Sequence, residues 1–488
     1  MRCAMRSKTW LVAMPPRRRS FRPLPQRVAP RHAGAGPSQK PLIRATDHGR
    51  GMALDPEVFA PAQRGGGWGA FADSFLRLNE KALARLDVSA EVSSSDSGVR
   101  LSLVPGSCAG AIPLRSAQTG HVSAGFLVEP RFGWSGVGRV LTQTGWQTQP
   151  NFLEGPLVPG SGREVPPWVL AGPVLARLAD LLRALRRGYR IEEETLRHPR
   201  GQIVWSRYVR EAVARGKWDR LPCRFPDLAS DPKLRRMIRW GVERVRQALM
   251  SVSGADAIAR LLIAVADEVL TQLRDVLPLV PARDELTRLT DGRVADILLR
   301  NGLEALGWVA DERGLGGGRE MDGLAWSMRL NELWEHYVEA TIRREVAATG
   351  GAVRVGRKRE TVFPLEWTDP THRSMGQLVP DIVVFRGNSV HIVDAKYKAH
   401  LAELDEHGWH RFTTDVREAH RADIHQVLAY ASLYSADEVK ATLVYPLRLS
   451  TYETLRSRGR DVSVAHLLHG ARQVRLELRG VPFGFETA

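Results

Sequence analysis

Cysteine is scarce in this chain: Cys3, Cys108 and Cys223 stand far apart among 488 residues. Odd in number, they offer neither a disulfide framework nor zinc-ligand spacing, so the expected setting is a reducing cytoplasm. Long apolar runs are also lacking, and nothing approaches the roughly 18–20 residues of a membrane span. Phosphate-loop signatures are missing too. No Gly-x-x-x-x-Gly-Lys-[Ser/Thr] occurs, nor a Gly-x-Gly-x-x-Gly between strand and helix. The glycine-rich Gly314-Leu315-Gly316-Gly317-Gly318 therefore reads as a hinge, and no nucleotide is expected on this chain. Acidic residues are rare in one region. Residues 1–50 carry twelve Lys or Arg against a single acid, Asp47, so that tail accounts for most of the net charge of +16. The body is only mildly basic, which does not support reading the whole chain as a nucleic-acid-coating protein.

What is present has room for two or three domains, and a hydrophobic share of 43% is that of a globular protein. The expected fold class is α/β, an α+β multidomain chain in four parts. Residues 1–51, with Arg17-Arg18-Arg19 and many Pro, Gly and Ala, lack hydrophobic periodicity and read as a disordered basic tail. Three explanations stay open for it: a basic arm on DNA phosphates, an Arg-rich targeting segment, or an extension upstream of a true start at Met52, the favoured one. Residues 52–165 read as a mixed docking domain, with an amphipathic helix over 71–86 and β runs over 99–104 and 122–128. Residues 166–318 read as an α-rich connector, with helices over 168–187, 234–252, 255–274 and 282–305. Residues 319–488 hold the chemistry.

That chemistry centres on Pro380 to Lys398, where two β-rich runs flank Gly387-Asn388, a two-residue hairpin signal. With those two residues as the loop, Arg386 pairs with Ser389, and counting outward sets Asp381 directly opposite Asp394. Opposed residues have Cβ atoms about 4.5–5.5 Å apart, and like charges there need compensation. By the period of two, Lys396 shares the face of Asp394 while Ala395 and Tyr397 turn away. Two carboxylates suit a hard cation, Mg²⁺ with Mn²⁺ as a substitute, that keeps positions open for water and phosphate oxygens. The ammonium can orient the water and stabilise developing charge. Taken alone, Asp-x₁₂-Asp-x-Lys is more often a surface hairpin with solvated ends. Here Ile382, Val383, Val384, Phe385, Val390, Ile392 and Val393 put apolar groups on both faces, the mark of strands buried on both sides. Ionised groups closing such strands are expensive to bury unless paired or metal-bound.

Other candidates are weaker by themselves. A helix expected over 327–347 buries Leu330, Leu333, Trp334, Tyr337, Val338 and Ile342 and leaves Glu332, Glu335 and Glu339 along one flank, a pattern that is usually a solvated face. On another, over 417–435, Gln426 and Tyr430 stand four apart and project together. His391, His400, His407, His410, His420 and His425 are irregularly spaced, which argues against zinc and places them in exposed turns.

Pro380-Asp381 followed by Asp394-Ala395-Lys396 resembles the signature of the PD-(D/E)xK nuclease superfamily. Asp423 to Tyr430 resembles the Gln-x-x-x-Tyr element of such nucleases, and Leu330 to Val338 resembles their opening helix, whose acidic residue aligns best with Glu335, then Glu332. The resemblance implies a restriction-endonuclease-like domain with a mixed central sheet that includes a strand over 439–445. It implies a metal held by Asp381, Asp394, the Ala395 carbonyl and Glu335, with Lys396 acting on the nucleophile and Gln426 and Tyr430 in support.

A second resemblance covers the middle of the chain. Gly188-Tyr189, His198 to Trp205, Leu221-Pro222-Cys223-Arg224-Phe225 and Asp231-Pro232, in that order, are similar to the middle region of the McrC family, the nuclease subunits of modification-dependent restriction systems in prokaryotes. The chain departs from that pattern at Leu234-Arg235, where Asn-Arg is expected, and its N-terminal third matches only around Glu129-Pro130-Arg131. The resemblance implies a Mg²⁺-dependent DNA endonuclease of phage defence that works with an AAA+ GTPase partner, in agreement with the missing phosphate loop. Two alternatives are a stand-alone nuclease of the same superfamily, and a non-enzymatic adaptor that activates a partner.

Overall fold

Short β-prone runs in the N-terminal part, separated by Gly and Pro turns, collect into a five-stranded sheet. Its order is β1 (Leu42–Thr46), β6 (Val122–Glu129), β5 (Cys108–Arg115), β11 (Trp326–Arg329) and β7 (Asn151–Phe152). A computed structural model describes residues 40–485 except 56–57, 59–67, 96–97, 154, 186–189, 228–231, 255, 292–296, 312–321, 369–374, 399–413 and 470–471. The basic run Arg17-Arg18-Arg19, Gly188-Tyr189, Asp231, Gly314 to Gly318, His400, His407 and His410 lie outside the described residues. A second small sheet joins β2 (Met52–Ala53), β4 (Gly98–Pro105) and β3 (Val88–Ser95). Against both lies helix α1 (Trp68–Arg85), which buries Phe75 and Leu83 in a core with Leu101, Leu103, Ile112 and Phe126.

Two borders differ from the sequence reading. The tail was expected to run to residue 51, yet β1 pairs in parallel with β6 from Leu42↔Gly125 to Thr46↔Glu129, and Asp47 is buried behind it. The helix expected from 327 begins at Leu330, because Trp326–Arg329 is a strand paired antiparallel with β5. The pairing of β11 with β5 spans more than two hundred residues, so local periodicity carries no sign of it.

Helices α2 (Gly133–Gln143), α3 (Pro167–Leu185), α5 (Pro232–Met250), α6 (Ala257–Thr271), α7 (Arg283–Asp291) and α8 (Ile297–Ala310) contribute to the largest core. Where one helix was expected over 282–305, α7 and α8 stand on either side of residues 292–296, which lie outside the described residues. Gly302 on α8 lies so close to α3 that an added Cβ would meet Leu181 Cβ at 2.5 Å, so the crossing requires glycine. The connector is not wholly helical. It also contains β8 (Arg190–Leu196), β10 (Leu221–Asp227) and β9 (Gln202–Ile203) as an antiparallel sheet, with the short helix α4 (Trp205–Glu211).

The C-terminal part is built on a six-stranded mixed sheet ordered β12 (Ala352–Val355), β15 (Ile382–Arg386), β16 (Ser389–Ala395), β17 (Glu438–Leu447), β19 (Arg472–Pro482) and β18 (Val462–His469). The inner run β16–β17–β19 is parallel and its flanks are antiparallel. Both faces are covered, as the unbroken apolar runs require. Ile382, Val384, Val393, Ala395 and Val444 join the core that holds α9 (Leu330–Thr349), while Val383, Val390, Ile392 and Leu443 join Val427, Tyr430 and Ala431 of α10 (Thr414–Ser432). Helix α11 (Leu449–Ser457) and a two-strand pair, β13 (Phe363–Pro364) with β14 (Gln377–Leu378), complete the part. Among the described residues no helix is long and apolar enough to cross a membrane.

Candidate active site

The hairpin register is the one the turn dictates. Arg386 pairs with Ser389 and Ile382 with Val393, so Asp381 stands one step past the ladder, beside Asp394. Gly387 takes the positive φ of 57° that the turn needs. Asp381 is tied in place twice: its Oδ2 accepts the Ala395 N–H at 2.9 Å, and its carbonyl accepts the Gly356 N–H at 2.8 Å. Burial, then the neighbouring Asp394 and Glu335, push the Asp381 carboxyl well above the usual carboxylate range. This is the signature of like charges crowded in a dry place.

Lys396 answers that crowding. Its Nζ lies 2.5 Å from Asp394 Oδ2 and donates to Gln426 Oε1 at 2.8 Å, and Gln426 Nε2 donates to Tyr430 Oη at 2.8 Å. Burial works against the ammonium, but Asp394, Asp381 and Asp423 together hold the Lys396 pKa above its ordinary value. The helical spacing of Gln426 and Tyr430 thus becomes a relay ending on the lysine. Lys398, two residues on, grips both oxygens of Asp423 at 2.8 Å, which fixes the strand end to α10.

Glu335 enters the site from α9. Burial raises its pKa, and Glu332 and Asp394 add to the rise, so its carboxyl senses the pair. Glu332 instead bonds Arg329 at 2.9 Å and lines a polar cavity of about 560 Å³ with Asp87, Gln147 and Asn331. Glu339, expected on a solvated flank, is buried between Arg343 and Arg357. The flank is covered because the basic turn after β12 folds over it. Two histidines also depart from the exposed turns expected of them. His391 Nε2 sits 2.8 Å from Thr442 Oγ1, with burial pressing its pKa down to about 3, and His420 is buried beside Tyr445.

Among the described residues no group of three or more His, Cys, Asp or Glu side chains is spaced to hold a metal. The carboxylates brought together here are therefore Asp381 and Asp394, and Glu335 does not complete a metal-spaced group of three with them. Asp394 Oδ2 is buried and, apart from its ion pair, has no hydrogen bond of normal geometry. An oxygen in that state, beside a carboxyl whose pKa is raised, fits a hard cation.

Residues that sequence reasoning missed lie on the other side of the strand end. Tyr397 packs against Arg131 and Asp47, contacts across more than 260 residues that no local pattern signals. Trp334 was legible only as a buried ring; in the fold its Nε1 donates to Val444 O at 3.2 Å, the carbonyl that also accepts Lys396 N–H at 2.9 Å.

No curated protein matches the chain at a significant level. Among the solved structures that resemble it are two from Thermococcus gammatolerans. One is a half-complex of a tetradecameric assembly of McrB AAA+ hexamers with bound McrC, at 15% identity, covering 91% of this chain and 95% of that one with a TM-score of 0.41. The other is a McrBC complex determined by cryo-electron microscopy, at 15% identity, covering 62% and 88% with a TM-score of 0.27. Residues 310–446, which hold α9, both aspartates, Lys396 and Gln426, match the family model of the McrBC 5-methylcytosine restriction system component.

Proposed function

We propose that this chain is the nuclease subunit of a McrBC-like restriction system and hydrolyses DNA phosphodiesters with Mg²⁺. The observation that carries the reading is the meeting of Asp381 and Asp394 at the ends of adjacent strands, with Lys396 2.5 Å from Asp394 and oriented by Gln426. Asp381, Asp394 and the Ala395 carbonyl would hold the cation, assisted by Glu335. When bound, the cation supplies Lewis-acid polarisation of a phosphate oxygen and lowers the pKa of bound water. Lys396 orients the attacking water and stabilises charge on the phosphate, Gln426 and Tyr430 keep that ammonium aimed, and burial of the strand ends keeps stray water out.

DNA as substrate is supported by the basic turn beside the site. Gly356 donates to the Asp381 carbonyl, and in the turn that follows Lys358 and Arg359 are exposed beside Arg357, which is paired with Glu339. Arg359 holds a left-handed φ of 62°, a conformation uncommon for a side chain of this size and often found where function fixes the backbone. Such a cluster suits phosphate contacts flanking the scissile bond.

The missing phosphate loop and the McrBC family match support a separate AAA+ GTPase as motor. The test is cleavage of methylated and unmethylated plasmid by the purified chain, with and without an AAA+ protein encoded beside it, and with GTP present or omitted. Cleavage that needs Mg²⁺, partner, GTP and methylation is the expected result. Cleavage by the chain alone would favour a stand-alone nuclease, and no metal-dependent cleavage under any condition would leave the adaptor as the better account.

A further inference from the structure

Immediately after Lys396 the chain turns Tyr397 to the opposite face of the sheet end, as the period of two demands, and only 5% of Tyr397 is exposed. Its ring lies 5.9 Å from that of Phe132, 6.1 Å from Phe483 and 5.7 Å from His48, with the Arg131 guanidinium 4.4 Å above its centroid. Arg131 Nε stands 3.5 Å from Asp47 Oδ2, and the Arg131 backbone N–H donates to Asp47 Oδ1. Asp47 follows β1 and Arg131 follows β6, so both belong to the N-terminal sheet, whereas Tyr397 belongs to the end of β16.

This cluster is poorly explained by stability. Asp47 Oδ2, Arg131 Nε and Nη2, and Tyr397 Oη are all buried and lack hydrogen bonds of normal geometry, yet the Tyr397 hydroxyl still interacts with the Asp47 carboxylate and with Arg131. Loosely paired buried charges are retained at a cost that apolar residues would avoid. Their placement is specific. The segment 396–398 is gripped on alternating sides: Lys396 by Asp394 and Gln426, Tyr397 by the N-terminal sheet, Lys398 by Asp423. A displacement of Tyr397 is passed to Lys396 through one peptide unit, whose Cα atoms are about 3.8 Å apart. Misplacement of a reacting group by about 1 Å can cost on the order of 10²-fold in rate.

We infer that Asp47, Arg131 and Tyr397 form a clamp through which the N-terminal sheet positions the Lys396 ammonium. The inference rests on the nuclease reading, in which Lys396 acts on the nucleophile. The N-terminal part then supports the active site directly, in addition to any docking role. Asp47, Arg131 and Tyr397 are positioning residues, since none lies on the face that carries the paired carboxylates.

The test uses the full chain, with its AAA+ partner present if cleavage requires it, and two near-isosteric variants, Tyr397→Phe and Asp47→Asn. Each is expected to lower kcat by about 10- to 100-fold, the range for residues that orient a site from behind, with KM for DNA unchanged. Hydrogen exchange in a peptide spanning 394–398 is expected to rise, while exchange in β18 and β19 stays as in the wild type. In a Lys396→Ala chain, under single-turnover conditions, adding Asp47→Asn is expected to cause no further loss, because the clamp then has nothing to aim. Unchanged kcat together with unchanged exchange would overturn the clamp, as would an equal further loss in the Lys396→Ala background. A wild-type chain that cleaves nothing sinks the nuclease reading instead; the exchange result then decides alone whether the cluster holds the 396–398 segment.

Discussion

Asp394→Ala is expected to lower Mg²⁺-dependent cleavage by on the order of 10³-fold or more, the scale of removing a central electrostatic group from a dry site. The carboxylate is 1% exposed at the end of a strand buried on both faces, and it is the closest partner of the Lys396 ammonium. Removing one member of a fully buried ion pair costs about 3–5 kcal/mol of stability. The loss here is expected to be smaller, because Lys396 keeps Gln426 at 2.8 Å and has Asp423 at 4.0 Å. The variant should therefore remain folded and be inactive. Asp394→Asn separates charge from shape: it keeps the volume but gives up the charge that a hard cation requires. Single-turnover cleavage beside urea unfolding reads both effects. An Asp394→Asn chain that cleaves at the wild-type rate would remove this residue from the site.

Trp334→Ala carries the largest expected loss of stability, about 3–5 kcal/mol for a fully buried aromatic. Its ring stacks on Phe483 with centroids 5.8 Å apart and has no exposed surface. Its Nε1–H and the Lys396 N–H converge on one acceptor, the Val444 carbonyl. That shared carbonyl locks α9, and with it Glu335, to the strand end that carries Lys396. Trp334→Phe keeps most of the apolar burial and forfeits a hydrogen bond worth about 1 kcal/mol. It should cost little stability, yet slow cleavage more than that loss suggests. Urea midpoints compared with cleavage rates separate the two effects. A Trp334→Ala chain that loses less than about 1 kcal/mol would contradict the packing described here.

Legibility in the sequence followed the range of the interaction. The pairing of Asp381 with Asp394 could be counted from Gly387-Asn388 because a two-residue turn fixes the register of both strands, and a slip of one residue would turn every side chain over. The burial of Leu333, Trp334 and Tyr337, and the convergence of Gln426 with Tyr430, followed from helical periodicity. What escaped was set by distant partners. Trp326–Arg329 reads locally as the first turn of a helix and becomes a strand because β5 and β7 offer edges on either side. Glu339 reads as solvated until Arg357 closes over it. Leu42–Thr46 reads as the end of a basic tail, since nothing nearby reveals that β6 will pair with it. The clamp on Tyr397 was hidden for the same reason: Asp47, Arg131 and Tyr397 have no sequence relation, and only the fold brings them together.

The central claim is that Asp381 and Asp394 hold a divalent cation for attack on DNA, and the most direct measurement is a calorimetric titration of Mn²⁺ into the full chain bound to a DNA duplex. The same titration is repeated with Asp394→Ala and with Tyr452→Phe, a buried tyrosine remote from the paired aspartates in sequence, as the control. Saturable binding is expected in the wild type and the control, and its loss in Asp394→Ala. No binding by the wild type, or binding that Asp394→Ala leaves unchanged, would contradict it.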